Sequence, residues 1–124
     1  MGFSLGGTQC SYLLPKYGSY IDSVFLFGSG ITTKAKGSTY PGYPNKNEIL
    51  HNFSLYKGNI FLIQGDLDTV VPQDEAKKIL YTAHKARHTE LIKLAHVDHS
   101  FRNYKGKLAI SKIATKIFEI LEQH

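Results

Sequence analysis

The sequence predicts an α/β fold, a parallel sheet of about three strands with flanking helices. Ser23-Val24-Phe25-Leu26-Phe27 and Asn59-Ile60-Phe61-Leu62-Ile63-Gln64 are short apolar runs, each closed by a glycine. Segments of helical periodicity follow, over about residues 73–87 and 107–122. Strands alternating with helices pair in parallel through right-handed crossovers. A parallel strand covered on both faces shows no polar alternation, and neither run shows any.

Taken in order, residues 5–14 suit a short helix that Pro15 ends, because the residue before a proline is pushed away from helical angles. Residues 23–27 form the first clear strand. Residues 31–58 read as irregular, punctuated by Gly37, Pro41, Gly42 and Pro44, with a brief helix near 46–54. Residues 59–64 form the second strand. Pro72 fits a first helical position, and Asp74 and Glu75 favour the positive helix N-terminus. Ala76, Ile79, Leu80 and Ala83 give that helix its apolar face. Leu91-Ile92-Lys93-Leu94 is the third strand. In the closing helix Ile110, Ile113, Ala114, Ile117 and Leu121 share a stripe.

A chain of 124 residues with 42% hydrophobic content makes one domain with a modest core. The net charge of +5 and pI near 9.3 come from scattered lysines, not a basic stripe with interleaved aromatics, so no nucleic-acid partner is expected. No apolar run approaches the roughly 20 residues of a membrane span, and no membrane partner is expected. Cys10 is the only cysteine. It reads as a small core residue in a reducing compartment, and with no signal-peptide pattern after Met1 the cytoplasm is the expected location. Asn52-Phe53-Ser54 matches a glycosylation acceptor by chance. His84 and His88 lie four apart on the expected helix, a zinc-compatible spacing, but they read as a solvated face because no third ligand accompanies them.

The residues with chemical promise fall beyond the strands. Ser4 lies in Gly2-Phe3-Ser4-Leu5-Gly6-Gly7, a G-x-S-x-G-G sequence. Glycines on both sides suit a strained strand-to-helix turn that exposes the hydroxyl and has no room for side chains. A serine needs a base to take its proton, and the base needs an acid to fix its tautomer. Gly65-Asp66-Leu67-Asp68-Thr69-Val70-Val71-Pro72 follows the second strand, and His96-Val97-Asp98-His99-Ser100-Phe101 follows the third. Functional groups in open α/β sheets gather beyond the carboxyl ends of the strands, so Ser4, Asp68 and His99 are expected to meet there. Asp66 is the alternative acid and His96 the alternative base. Taken singly, either aspartate could be a turn residue capping the next helix.

With these motifs the whole chain resembles the C-terminal portion of an α/β-hydrolase, starting at the nucleophile elbow. The family order of nucleophile, acid and histidine maps onto Ser4, Asp68 and His99. Gly65, Asp68, Val71 and Pro72 match a G-x-x-D-x-x-V-P stretch, and His99-Ser100-Phe101 matches a G-H-S-F turn with Asp98 in place of the usual glycine. The doubled glycine after the serine fits dienelactone-hydrolase-like and prolyl-oligopeptidase-like branches without choosing between them. The resemblance implies a serine hydrolase that cleaves carboxylic esters, thioesters or amides through an acyl-enzyme. The catalytic triad would be Ser4, Asp68 and His99, with the Leu5 backbone N–H in the oxyanion hole and no cofactor or metal. The loop Tyr40-Pro41-Gly42-Tyr43-Pro44 would border a small-molecule acyl substrate, and its brevity implies an open site.

The family sheet has about eight strands. Residues 1–124 are therefore expected to be the C-terminal part of a hydrolase domain, without the strand that feeds the elbow or the loop that gives the second oxyanion donor. The edge beside Val24–Phe27 would then be free, inviting an N-terminal complementing chain or self-association. The alternative is a non-catalytic fragment of a split or truncated hydrolase that acts only as an association partner.

Overall fold

A computed structural model describes residues 1–31, 46–103 and 105–123. The expected loop Tyr40–Pro44 lies outside them. Among the described residues the sheet has four strands in the order β1-β2-β3-β4, all parallel: β1 Gly2–Phe3, β2 Ser23–Phe27, β3 Asn59–Gly65 and β4 His88–Leu94. The helices are α1 Leu5–Cys10, α2 Leu14–Tyr17, α3 Lys46–Leu55, α4 Gln73–Thr82 and α5 Ile110–Gln123. The parallel α/β sheet with flanking helices is as the sequence predicts.

The fourth strand was not expected, and it covers part of the β2 edge that was expected to be free. Gly2 pairs with Leu26 and Phe3 with Phe27, and Ser4 N–H extends the ladder to Phe27 O at 2.7 Å. Two residues suffice because the turn at Ser4 is locked at once onto β2. β4 is also longer than the expected run, since His88, Thr89 and Glu90 continue the ladder against Asn59, Ile60 and Phe61. These polar positions pair through the backbone, which an apolar pattern does not reveal.

Alternation along the strands divides the core. Val24, Leu26, Ile60 and Leu62 pack with Ile49 and Phe53 of α3 and Ile79 of α4 on one face. Phe25, Phe27, Phe61 and Ile63 pack with Ile92, Val97 and Ile120 on the other, beneath α5. Leu26, Phe27, Ile60, Phe61 and Ile63 are fully buried, and each contributes about 1.5–3 kcal/mol. This two-sided burial is why the strands read as unbroken apolar runs.

Three helical expectations need correction. Pro15 starts a helical turn instead of ending one: it lies in the first turn of α2, where its missing N–H is not needed, and Leu14 keeps helical angles (φ −64°, ψ −41°). α4 stops at Thr82 because Ala83 leaves helical geometry (ψ 52°), so His84 sits in a turn and His88 in β4, and they share no helix face. In α5 the inward residues are Ile113, Ile117 and Ile120, whereas Ala114 and Leu121 are exposed. Asn52 is buried on α3, so the glycosylation pattern carries no acceptor there. Cys10 packs partly against the core, as expected. No helix among the described residues is long and apolar enough to cross a membrane.

Tyr56, just after α3, donates its hydroxyl to Ile21 O at 2.8 Å. Burial first, and the Asp22 charge second, push its phenol up from 10.0 to about 12. The folded chain therefore holds this proton more tightly than the unfolded chain. The resulting stabilisation is fully present below about pH 10 and is lost as pH rises towards 12. Urea unfolding across this range is expected to show an alkaline loss that is smaller in Tyr56→Phe. Equal losses in the two proteins would refute the assignment.

Candidate active site

The three predicted residues converge at the carboxyl ends of three strands. Ser4 follows β1 directly, Asp68 lies three residues beyond β3, and His99 lies five residues beyond β4. Ser4 Oγ is 2.9 Å from His99 Nε2, and His99 Nδ1 is 2.9 Å from Asp68 Oδ2. An ionised carboxylate only accepts, so Nδ1–H donates to Asp68 and the neutral ring's Nε2 accepts the Ser4 hydroxyl proton. The Asp68 side chain is fully buried and that of His99 is 20% exposed. Water therefore reaches the imidazole but not the acid behind it.

Ser4 has φ 49° and ψ −123°, a conformation costing of order 1–3 kcal/mol for a residue with a Cβ. It is held by its N–H bond to Phe27 O and by Thr8, whose N–H donates to Ser4 O at 3.2 Å. The Thr8 hydroxyl donates to Gly30 O at 2.6 Å, tying α1 to the loop after β2. Leu5 is the first residue of α1, where an N–H has no partner within the helix.

The three motif glycines play unequal parts. A Cβ on Gly2 would lie 2.6 Å from Gly7 N, and one on Gly7 would lie 2.9 Å from Gly2 O and from Ser29 Cβ. Gly2 and Gly7 are thus in mutual backbone contact. A Cβ on Gly6 would meet nothing within 4 Å, so the expected crowding does not apply to it.

The Asp68 loop is closed from several sides. Asp68 Oδ1 accepts the N–H groups of Val70 (2.9 Å) and Val71 (3.0 Å). Gln64 Nε2 donates to Val71 O, and Gln73 Nε2 donates to both Gly65 O and Asp68 O. Lys93 Nζ donates to Gln73 Oε1, which leaves the amide nitrogen facing those carbonyls. The alternative acid, Asp66, is exposed and accepts the backbone N–H of the alternative base, His96, at 2.8 Å. Together with Leu67 N–H to Val97 O at 3.0 Å, this bond stitches the acid loop to the histidine loop. A Cβ on Gly65 would lie 3.0 Å from Asp98 O, so the motif glycine lets the loops approach.

Asp98, the departure from the usual glycine, organises the turn around His99. Its Oδ1 accepts the N–H groups of Ser100 (3.0 Å) and Arg102 (2.9 Å). Its backbone N–H donates to Arg102 O, and Phe101 N–H donates back to Asp98 O. These bonds hold Phe101 at φ 59°. Gly28, at φ 58°, lies against the Asp68–His99 pair, its Cβ position 3.4 Å from both Asp68 Oδ2 and His99 Nδ1. The sequence reading missed Gly28, Gln64 and Gln73. The Asp-x-Ser spacing at 98–100 is a turn signal that marks Asp98.

Beside Ser4 and His99 opens a cleft of about 510 Å³ bordered by Phe3, Phe27, Phe101, Leu108 and Ile113. Phe3 stacks on Phe27 with centroids 4.4 Å apart, and Phe101 meets both rings edge-on at 6.0 Å.

No family model matches the chain, and no curated protein matches its sequence. Solved structures do match. A metagenome-derived lipolytic enzyme aligns with a TM-score of 0.71 at 13% identity, over 99% of this chain and 64% of its own. A predicted CIB-like hydrolase from Thermoplasma acidophilum gives 0.71 at 16% identity, over 100% and 50%. A meta-cleavage product hydrolase from Pseudomonas fluorescens gives 0.69 at 13% identity, over 98% and 63%. The chain therefore has the α/β-hydrolase fold, and it spans between half and two thirds of the length of these proteins.

The glycine contacts set a contrast. Gly7→Ala is expected to cost about 1–3 kcal/mol through overpacking. Gly6→Ala is expected to be neutral or to stabilise by up to about 1 kcal/mol, since alanine favours a helix. Denaturant midpoints of the two variants check this, and equal losses would contradict it.

Proposed function

We propose that the chain carries the acyl-transfer centre of a serine hydrolase acting on carboxylic esters, thioesters or amides. The observation that carries this reading is the unbroken Ser4–His99–Asp68 hydrogen-bond chain at the carboxyl edge of a parallel sheet. In this reading Ser4 is the nucleophile, held in a nucleophile elbow. His99 Nε2 takes the hydroxyl proton as Ser4 Oγ bonds to the substrate carbonyl carbon. The carbonyl electrons move onto its oxygen, and the Leu5 N–H donates to that oxyanion. When the carbonyl re-forms, the leaving group departs with the proton from His99 and the acyl group stays on Ser4 Oγ. Water, deprotonated by His99, then adds to the acyl carbon; the bond to Ser4 Oγ breaks, Oγ regains the proton from His99, and the acid leaves. Asp68 fixes the imidazole tautomer and stabilises its protonated form.

The neighbours support a hydrolase through the fold they share with this chain. The proposal includes a complementing N-terminal chain, or self-association, at the β1 edge, and a complementing chain there would add a second oxyanion donor to the Leu5 N–H. The two-residue β1 at the edge of the sheet favours such a partner. The competing reading is an association partner without catalysis.

Labelling with a fluorophosphonate probe separates the two readings. Wild type is expected to label and Ser4→Ala to lose the signal. Equal labelling would defeat the catalytic reading and leave association alone.

Turnover is also expected to depend on His99. His99→Ala should reduce it by at least about 10²-fold. Turnover by His99→Ala equal to that of wild type would contradict His99 as the base.

A further inference from the structure

Resting on the hydrolase reading, we infer that the cleft beside Ser4 takes a neutral, apolar acyl group and favours a phenyl-bearing one. Among the described residues no charged side chain borders it; Ser100 joins Ser4 and His99 as its polar members. A carboxylate on the acyl chain would lose hydration there without a cation from the described residues to replace it. Phe3 and Leu108, 51% and 48% exposed, present apolar surface that an acyl chain could remove from water. Phe101 stands edge-on to the stacked Phe3–Phe27 pair, so a planar ring can continue the stacked and edge-on arrangement that aromatic groups prefer. The acyl portion is the relevant one because it stays bonded to Ser4 Oγ between the two steps. Phe3, the residue before the nucleophile, forms one wall of the cleft, and Phe101, two residues beyond the base, forms another.

The test uses the 124-residue chain and 4-nitrophenyl esters of one leaving group, with acetyl, butyryl, phenylacetyl and succinyl acyl groups. The succinyl group matches butyryl in length but ends in a carboxylate. The value of kcat/KM is expected to rise about fourfold per buried methylene from acetyl to butyryl. It should be highest for phenylacetyl and at least about tenfold lower for succinyl than for butyryl. Leu108→Lys should narrow that last ratio by giving the carboxylate a partner.

A second arm needs no turnover. Ser4→Ala is titrated with phenylacetamide and with succinamate by ligand-observed NMR, and only the first is expected to bind. Selective binding without Ser4-dependent turnover in wild type would keep the cleft assignment and remove the hydrolase reading. Ester turnover indifferent to the acyl group, or equal binding of the two amides, would overturn the cleft assignment alone.

Discussion

Burying an ionised carboxylate costs several kcal/mol unless donors meet its oxygens, and three donors meet Asp68. Val70 N–H and Val71 N–H take one oxygen, and His99 Nδ1–H takes the other. The first two bonds fix the loop after β3. The third fixes the imidazole, which leaves one free nitrogen, and that nitrogen faces Ser4. The site is therefore ordered from the inside outward. The least accessible group sets the next, and the Ser4 hydroxyl at the rim depends on both. Removing the carboxylate would free two backbone N–H groups and the ring together, so its loss acts on loop and base at once.

The sheet makes this arrangement possible by bringing distant segments to one edge. β3 is central, paired along its length with β2 and β4. The loops that leave β3 and β4 then bond to each other through Asp66 and Val97 before either contributes a functional side chain. The loop after β2 is held separately. Glu75, buried at the start of α4, accepts Ile31 N–H at 2.9 Å, while Thr8 holds Gly30. Asp68 and His99 thus sit on the loops after β3 and β4, which bond to each other, and Ser4 sits on the turn after β1, which is bonded to Phe27 and tied through Thr8 to the loop after β2.

What was legible in the sequence follows from the same physics. Strands buried on both faces leave a run of apolar residues, so residues 23–27 and 59–64 announced themselves. Ser4, Asp68 and His99 were legible because each follows such a run in motif context. The first strand was not, because two residues can pair through the backbone without any side-chain pattern. Pro15 misled because a proline is tolerated in a helix's first turn as readily as it ends the preceding one. α5 misled because five apolar residues can be drawn as one stripe, yet the packed face is set by what lies beneath it. Asp98 read as a defect in a motif, while its carboxylate supplies by hydrogen bonding the turn that a glycine would supply by conformational freedom.

Phe27 shows how closely scaffold and site are joined. Its carbonyl accepts the N–H of Ser4, its ring backs the cleft beneath Phe3, and its successor, Gly28, abuts the Asp68–His99 pair. A one-residue slip of β2 would turn Phe25 and Phe27 towards α3 and α4 and send Leu26 to the α5 side. It would also place a different residue against the Asp68–His99 pair, at a backbone position whose φ of 58° favours a glycine. The core's demand for Phe25 and Phe27 beneath α5 therefore fixes the register of β2. That register in turn sets where the Ser4 backbone is held and which ring lines the cleft beside it.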